Sequence, residues 1–257
     1  MIRILVLADD LTGAADCAVA FAGCGLRAIV ALDDGRDCDA EVLAIDANTR
    51  ASEPHEAAAA MERLIRAHAR GDDLLIYKKI DSTLRGNVAA ELKAVLAAHK
   101  SHMGEGIHNI AVLAPAFPAT GRTTLGGRQL VNGTPLSETD LWQQERKSPP
   151  ENLIEMMDES GLRSDLLELS AIRGNNLREI MTKLAREADV LEHLLRRKGN
   201  VVSKKFLEDQ IFGLTGEFGS NAVEVYVHRL RKRLADIGAN VQVHTVRGVG
   251  YMLAEAK

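Results

Sequence analysis

This sequence has few cysteines and no long apolar run. These two features argue against a disulfide-rich protein and against a membrane-spanning one. Among 257 residues there are three cysteines, Cys17, Cys24 and Cys38, an odd number without the spacing of a metal site. Reduced thiols, as in a cytoplasmic protein, are expected rather than a disulfide framework. The chain has no run of the roughly 18 apolar residues that a membrane span requires. Its N-terminus, MIRILVLADDLTG, predicts a strand followed by acids and not a signal peptide, so no membrane partner is expected.

The charge is unevenly divided along the chain. The net charge is −4, but the residues from Asn175 onward carry 14 Lys and Arg against 10 Asp and Glu, a balance of +4. The first 174 residues carry the remaining 18 basic and 26 acidic side chains, a balance of −8. An acidic first part and a basic second part predict two modules with different partners.

Short apolar runs alternate with helical patterns in the first part. Unbroken apolar strands separated by helices are typical of a parallel sheet that helices cover on both faces. The predicted class of this part is therefore α/β, a parallel-sheet sandwich. We expect strands at 2–8, 27–32, 42–46, 74–80 and 110–114, and helices at 11–25, 54–70 and 88–99.

Polar residues follow the predicted strands at their carboxyl ends, where ligands bind in sheets of this kind. If these loops converge, their cations would hold an anionic group, and their carboxylates would hold hydroxyls or accept a proton. The alternative is that each aspartate only caps the helix after it. The residues are Asp9, Asp10 and Thr12 after the first strand, Asp46, Asn48 and Arg50 after the third, Lys79, Asp81, Ser82, Thr83 and Arg85 after the fourth, and Arg122 and Thr123 after the fifth.

Four segments carry a family resemblance: ADDLTGAAD, YKKIDSTLRGN, PAFPATGR and GTPLSETDL. Together they resemble the N-terminal domain of the four-carbon acid-sugar kinase family, over roughly residues 1–174. The resemblance implies that this domain binds a sugar acid and that the DDxTG and KxDSTxRG segments line the site. Carried over by motif position, the implied substrate-binding residues are Asp9, Asp10, Thr12, Gly13, Lys79, Asp81, Ser82, Thr83, Arg85 and Gly86.

The family's nucleotide is held mainly by a second, C-terminal domain, for which this sequence has no counterpart. The segment GRTTLGG at 121–127 does not match the phosphate loop GxxxxGK[ST]. Because phosphoryl transfer needs the nucleotide and its metal in line with the acceptor, we expect no kinase activity from this chain alone. ATP and Mg²⁺ would be cofactors only under the kinase interpretation, and otherwise neither a cofactor nor a metal is expected.

A response-regulator receiver is the rival interpretation of the first part. Such a domain also begins with a strand that ends in an acidic pair and has a phosphoacceptor aspartate after its third strand. Asp9, Asp10 and Asp46 would fit those roles. However, IDSTLRGN and PAFPATGR have no place in that pattern, and about 174 residues is long for a receiver. The kinase-family interpretation is therefore favoured.

The second part ends in a basic helix and a predicted hairpin. A helix at 175–197 and a second that starts at Ser203 precede the basic helix at 221–236. Alternation over 241–245 and the glycines that follow predict a β-hairpin with Arg247 at its tip. Charge alone fits a solvated helix as well as a DNA-binding one. At about 100° per residue, the apolar side of the basic helix carries Val223, Val227, Leu230 and Leu234.

Three helices followed by a hairpin form the winged-helix variant of helix-turn-helix. LEHLLRRKGNVVSKKFLEDQI, NAVEVYVHRLRKRL and VHTVRGVGYML resemble the OmpR-type DNA-binding domain of response regulators over about residues 186–257. The sequence departs from that family in having no short β-sheet predicted before the first helix, and in having Ala222 where a threonine is common. The implied DNA-binding residues are Asn221, Val225, Arg229 and Arg231 on the recognition helix and Arg247 in the wing, and the basic face of the helix adds Lys232.

We therefore predict a kinase-like domain at 1–174, a helical junction at 175–185 and a small winged helix-turn-helix domain at 186–257. The predicted function is a DNA-binding transcriptional regulator whose partner is double-stranded DNA. Its first domain could sense a small sugar acid, and the chain could form a homodimer. The alternative is a threonate- or erythronate-type kinase, or its substrate-binding half, without the nucleotide-binding domain. The abrupt join fits a natural fusion, a truncated gene joined to a neighbour, or an artificial chimera.

Overall fold

The computed structural model describes residues 2–33, 39–68, 74–103, 110–142, 145, 148–173, 177–212, 222–236 and 238–256. The chain divides into two compact units, Met1–Glu168 (unit 1) and Leu169–Lys257 (unit 2). The division into an acid-sugar domain, a junction and a winged helix at 174 and 185 stays a prediction. Within the described ranges, no helix combines the length and the apolar character that crossing a lipid bilayer requires.

Unit 1 is built on a parallel sheet of four strands in the order β2-β3-β1-β4. A second, antiparallel sheet of three strands follows, in the order β5-β6-β7. The elements are β1 (Ile4–Ala8), α1 (Leu11–Gly23), β2 (Ala28–Ala31), β3 (Val42–Asp46), α2 (Pro54–His68), β4 (Leu75–Lys78), α3 (Val88–Met103), β5 (Arg122–Leu125), β6 (Arg128–Val131), β7 (Thr134–Pro135) and α4 (Leu153–Glu159). Single 3₁₀ turns lie at Pro118–Thr120, Leu136–Glu138 and Asp140–Trp142.

The parallel sheet has a buried core on each face, as the unbroken apolar strands predict. Successive side chains of β1 alternate between the two cores, because neighbouring side chains of a strand point to opposite faces. Val6 and Ala8 pack towards α1, together with Ala14 and Ala44. The other face packs against α2 and α3 through Leu5, Leu7, Leu43, Ile45, Met61, Leu64, Ile65, Ala94 and Val95. The predicted class, a parallel α/β sheet covered on both faces, is confirmed.

The predicted fifth strand, at 110–114, is wrong. This segment forms no strand, and Ile110 and Val112 are 41% and 70% exposed. A short apolar run becomes a strand only if a neighbour pairs with it, which its sequence pattern does not reveal. The strands that do form, β5 to β7, lie further along and were not predicted.

Unit 2 has three principal helices and a hairpin, as the sequence predicts. Its sheet is antiparallel in the order β8-β10-β9. Ser203 caps the second principal helix, since its Oγ accepts a hydrogen bond from the Phe206 N–H at 3.1 Å. The elements are α5 (Leu169–Arg173), α6 (Leu177–Arg196), β8 (Val202–Ser203), α7 (Lys204–Phe212), α8 (Ala222–Asp236), β9 (Val241–Val246) and β10 (Gly250–Glu255).

Helix α8 lies with its apolar side on the core of unit 2. Its four predicted apolar residues are all buried, and Tyr226 joins them. The core is completed by Val190 and Leu194 of α6, Leu207 of α7 and Leu253 of β10. The opposite side of α8 presents Val225, His228 and Lys232 to solvent. The predicted orientation of the basic helix is therefore confirmed.

Candidate functional site

An arginine joins the two aspartates that follow β1. Arg50, after β3, donates from Nε to Asp9 Oδ2 at 2.8 Å and from Nη2 to Asp9 Oδ1 at 3.0 Å. Its Nη1 donates to Asp10 Oδ2 at 2.5 Å. The Asp9 side chain is only 3% exposed, so this paired charge lies at the floor of the site. The carboxyl ends of β1 and β3 thus meet, as expected for neighbouring parallel strands.

Asp10 also fits the alternative in which each aspartate caps the helix after it, because it caps α1. Its Oδ1 accepts a hydrogen bond from the Gly13 N–H at 2.8 Å. A Cβ added at Gly13 would lie 2.8 Å from that oxygen and 3.1 Å from Cγ of Lys79, so a larger residue would have to displace the capping carboxylate. The position of that added Cβ shows that Gly13 and Lys79 are close, so the DDxTG and KxDSTxRG segments lie near each other. Thr12, in the same turn, is exposed.

The loop after β4 is organised around Asp81. Arg85 donates from Nε to Asp81 Oδ2 at 2.8 Å, and Thr83 Oγ1 donates to the same carboxylate. Gly86 follows with φ +85°, and a Cβ there would lie 3.0 Å from Asp9 Oδ2 and 3.6 Å from Cα of Arg50. The two motifs therefore share one polar edge of the sheet.

Other predicted residues have contacts of their own. Asp46 Oδ1 accepts from the Asn48 N–H at 2.8 Å, which stabilises a tight turn where Asn48 has φ 49°. Arg122 donates from Nη1 to the carbonyl of Thr120 at 2.7 Å and, like Thr123, lies on β5. Ser82 contributes its carbonyl oxygen to a hydrogen bond from Gln129.

A buried polar network behind the site was not predicted. Lys78 Nζ lies 2.9 Å from Glu91 Oε2, and these side chains are 6% and 2% exposed. Thr49 donates its hydroxyl to the same carboxylate. Asn87 Nδ2 donates to the carbonyl of Thr49 at 3.2 Å and to that of Ser52 at 2.8 Å. The network anchors the β3 loop to the start of α3, and the only sequence signal was a lysine at the end of an apolar run.

Acidification is expected to destabilise unit 1 through Asp81. Burial opposes its ionisation, but hydrogen bonds from Arg85 and Thr83 outweigh burial and hold the pKa of Asp81 at about 2. A pKa lowered in the folded state stabilises the fold above the unfolded-state value, so this contribution is complete above about pH 4 and is lost as the pH falls through about 2. Melting temperatures of the wild type and Asp81→Asn should therefore converge on acidification, and a difference that is independent of pH would contradict this assignment.

Among the described residues, no group of three or more histidine, cysteine, aspartate or glutamate side chains is placed to hold a metal ion. The charged groups of the cluster are instead satisfied by one another. Arg50 pairs with two carboxylates and Arg85 with a third. A ligand with hydroxyl and carboxylate groups could enter by exchanging some of these hydrogen bonds, which is the chemistry expected for a sugar acid.

In unit 2, the predicted DNA-binding residues have different environments. Val225, Lys232 and Arg247 are exposed. Arg229 Nη1 lies 3.2 Å from Oε1 of buried Glu187, on α6. Asn221 lies outside the described residues. These positions stay predictions, but the contacts separate exposed side chains from those engaged within the unit.

Arg231 links α8 to the hairpin. Its Nε donates to the carbonyl of Val243 at 2.7 Å, and its Nη2 donates to Thr245 Oγ1 at 2.7 Å. Both partners lie on β9, so this side chain fixes the helix against the wing. The alternation of the sequence could not reveal this link, because it depends on how the hairpin packs.

Two family models match the chain: the Sugar-binding N-terminal domain over residues 4–203, and the Transcriptional regulatory protein, C terminal, over residues 179–253. The D-threonate kinase of Cupriavidus necator is 44% identical over 191 residues, which is 71% of this chain and 43% of that protein. The response regulator protein PmrA of Pseudomonas aeruginosa is 44% identical over 66 residues, 26% of this chain and 28% of that protein.

A solved structure agrees with the first match. A Bordetella bronchiseptica domain of unknown function, a domain-swapped dimer with bound citrate, is similar with a TM-score of 0.51 and 33% identity, covering 61% of this chain and 39% of that one. The chain thus spans less than half the length of its kinase relative. By these matches the chain belongs to the four-carbon acid-sugar kinase family through its sugar-binding N-terminal domain, and it joins to that domain the C-terminal domain of OmpR-type transcriptional regulatory proteins.

Proposed function

We propose that this chain is a DNA-binding transcriptional regulator in which unit 2 binds duplex DNA and unit 1 binds a small sugar acid. The observation that carries the proposal is the exposed side of α8, which rests on a complete core and stands beside a hairpin with Arg247 at its turn. An α-helix fits the DNA major groove, and a basic wing reaches the neighbouring backbone. A cytoplasmic location would follow from such a partner.

The contacts within unit 2 divide the basic residues into two roles. Lys232 and Arg247 are exposed and available to phosphates. Arg231 holds the hairpin through two hydrogen bonds, and Arg229 is paired with Glu187. In this proposal, the exposed pair provides most of the electrostatic attraction. Arg231 sets the geometry between the helix and the wing.

Removing an exposed basic residue should weaken DNA binding without affecting the fold. When a substitution removes one interaction with a phosphate, the slope of log K against log salt should decrease by about 0.9. Lys232→Ala and Arg247→Ala should therefore both lower affinity for random duplex DNA and give a shallower slope, at unchanged melting temperature. Fluorescence anisotropy between low and moderate salt measures both quantities.

The matched control is Lys198→Ala. Lys198 follows α6, is about half exposed, and lies 3.5 Å from Glu255, so its loss removes the same charge away from the outer face of α8. An equal effect of this control would mean that only net charge matters. If the wild type shows no salt-dependent binding at all, the proposed DNA-binding function is wrong.

The sugar-acid part of the proposal is supported by the polar edge of unit 1. Asp9, Asp10, Arg50 and Asp81 converge there, and the chain shares 44% identity with a D-threonate kinase. D-threonate should raise the melting temperature of the full chain, since a ligand that binds only the folded state stabilises it. If millimolar D-threonate leaves the melting temperature unchanged, the proposed sugar-acid binding is contradicted.

The second candidate is the substrate-binding half of a sugar-acid kinase that another chain completes. The identity to the kinase over 71% of this chain favours it. ATP consumption with D-threonate and Mg²⁺ would distinguish this function from ligand sensing, because a sensor binds the acid without turnover. A homodimer is a further proposal, supported by the swapped dimer of the Bordetella bronchiseptica protein. Light scattering of the purified chain tests it directly.

A further inference from the structure

The loop at 81–86, DSTLRG, has a backbone that must be held in place by its surroundings. Leu84 has φ 62°, in the left-handed region that residues with a Cβ rarely adopt. Its side chain is 2% exposed and packs in a small cluster with Leu136 and Leu153. The cluster lies outside both cores of the parallel sheet. The shape of this loop therefore depends on the segments that follow β5.

One of these segments donates to the loop through Gln129. Its Nε2 donates to the carbonyl of Ser82 at 2.7 Å and to that of Pro115 at 3.3 Å. Its Oε1 accepts a hydrogen bond from Thr124 Oγ1 at 2.6 Å. Gln129 is 3% exposed, so its amide is buried and satisfied on both sides. A buried amide with all its groups engaged fixes the position of the carbonyls it contacts.

A second donor reaches the next carbonyl of the loop. Trp142 Nε1 donates to the carbonyl of Thr83 at 2.9 Å. The indole packs against the cluster that contains Leu84. Consecutive carbonyls of the loop are thus fixed by two side chains that follow 47 and 59 residues later. The side chains of Thr83 and Arg85 donate hydrogen bonds to the Asp81 carboxylate.

We propose that Gln129 and Trp142 are positioning residues for sugar-acid binding, acting through the carbonyls of Ser82 and Thr83. Both donors turn the backbone of the loop so that Asp81, Thr83 and Arg85 face the polar edge of the sheet. The inference rests on the proposed sugar-acid site. Trp142 is also the single tryptophan of the chain, so its fluorescence reports the state of the loop.

The test compares D-threonate binding to full-length variants by calorimetry, and tryptophan fluorescence is a second readout for the variants that keep Trp142. Gln129→Glu keeps the shape but replaces the donor with an acceptor, and Trp142→Phe keeps an aromatic ring without the N–H. Both should bind D-threonate about tenfold more weakly, the effect of leaving a buried acceptor without its partner. Thr139→Val is the matched control, since it removes only the hydrogen bond from Thr139 Oγ1 to the carbonyl of Leu136. Unchanged affinity in both variants, or an equal loss in the control, would overturn the inference.

Hydrogen exchange in the ligand-free protein separates this inference from the proposed function. Amides of residues 81–86 should exchange faster in Gln129→Glu and Trp142→Phe than in the wild type or Thr139→Val. If the wild type does not bind D-threonate but exchange increases as expected, the sugar-acid proposal fails and the loop assignment stands. If exchange is unchanged, Gln129 and Trp142 do not position the loop, whatever the ligand result.

Discussion

Gly250→Ala is expected to disrupt unit 2 and abolish the proposed DNA binding. A Cβ at this position would lie 2.0 Å from the carbonyl oxygen of Val202 and 2.8 Å from the backbone nitrogen of Lys204. Gly250 pairs with Ser203, and these neighbours are backbone atoms of β8 and of the first residue of α7, which cannot rotate away. We expect a loss of about 3 kcal/mol in the free energy of unfolding, at the upper end for overpacking. Chemical denaturation of the full chain, followed by circular dichroism, measures it.

Gly248→Ala is the matched control, two residues earlier in the same turn. Gly248 has φ +74° but no atom within 4 Å of an added Cβ. Its substitution should therefore cost only the backbone strain of a left-handed residue, about 1 kcal/mol. Similar losses at both positions would show that the close approach of β8 is not what requires glycine at 250.

Arg50→Ala is expected to destabilise unit 1 by about 3 kcal/mol, because removing one partner of a buried ion pair leaves the other charge unpaired. Asp9 is nearly fully buried. Arg50 donates two hydrogen bonds to Asp9 and one to Asp10. The same variant should lose D-threonate binding. Differential scanning calorimetry, with and without D-threonate, follows both effects.

The control is Arg27→Ala, which also removes an arginine that joins two carboxylates. Arg27 lies 2.8 Å from Asp39 and 3.9 Å from Glu41, but it is largely exposed. Solvent screens such pairs, so its loss should leave the melting temperature nearly unchanged. Adding Asp9→Asn to Arg50→Ala should recover part of the stability by removing the unpaired charge. No recovery would mean that packing of the arginine, rather than its charge, explains the loss.

The sequence predicts elements where periodicity is strong and local. The strand at 42–46 has its predicted bounds, and the burial of α8 follows its pattern of apolar residues. The meeting of Asp9, Asp10 and the DSTLRG loop could also be predicted, because parallel strands bring their carboxyl ends to one edge. In these cases the structure is determined by backbone geometry and by an apolar face, and both can be inferred from the order of residues in the sequence.

Other features depend on packing between distant segments and could not be predicted. The run at 110–114 has the composition of a strand but does not form one. Strands β5 to β7 form instead from a segment of mixed polarity. Arg229 and Arg231 fall on the predicted DNA-binding helix, yet their partners, Glu187 and the β9 backbone, are set by the tertiary fold. Gln129 and Trp142 could not be linked to the DSTLRG loop from the sequence, since the carbonyls that they contact lie far back in the chain.

The pairing of β8 with β10 also has a consequence for synthesis. The four strands of the parallel sheet are complete by Lys78, whereas Val202 pairs with Tyr251. Because a chain emerges from the ribosome N-terminal end first, at about 5–20 residues per second, unit 1 can assemble its parallel sheet while unit 2 is still incomplete. Helix α8 gains its anchor through Arg231 only after β9 has been made. The proposed DNA-binding surface of unit 2 is therefore completed only after the parallel sheet of unit 1 has been made.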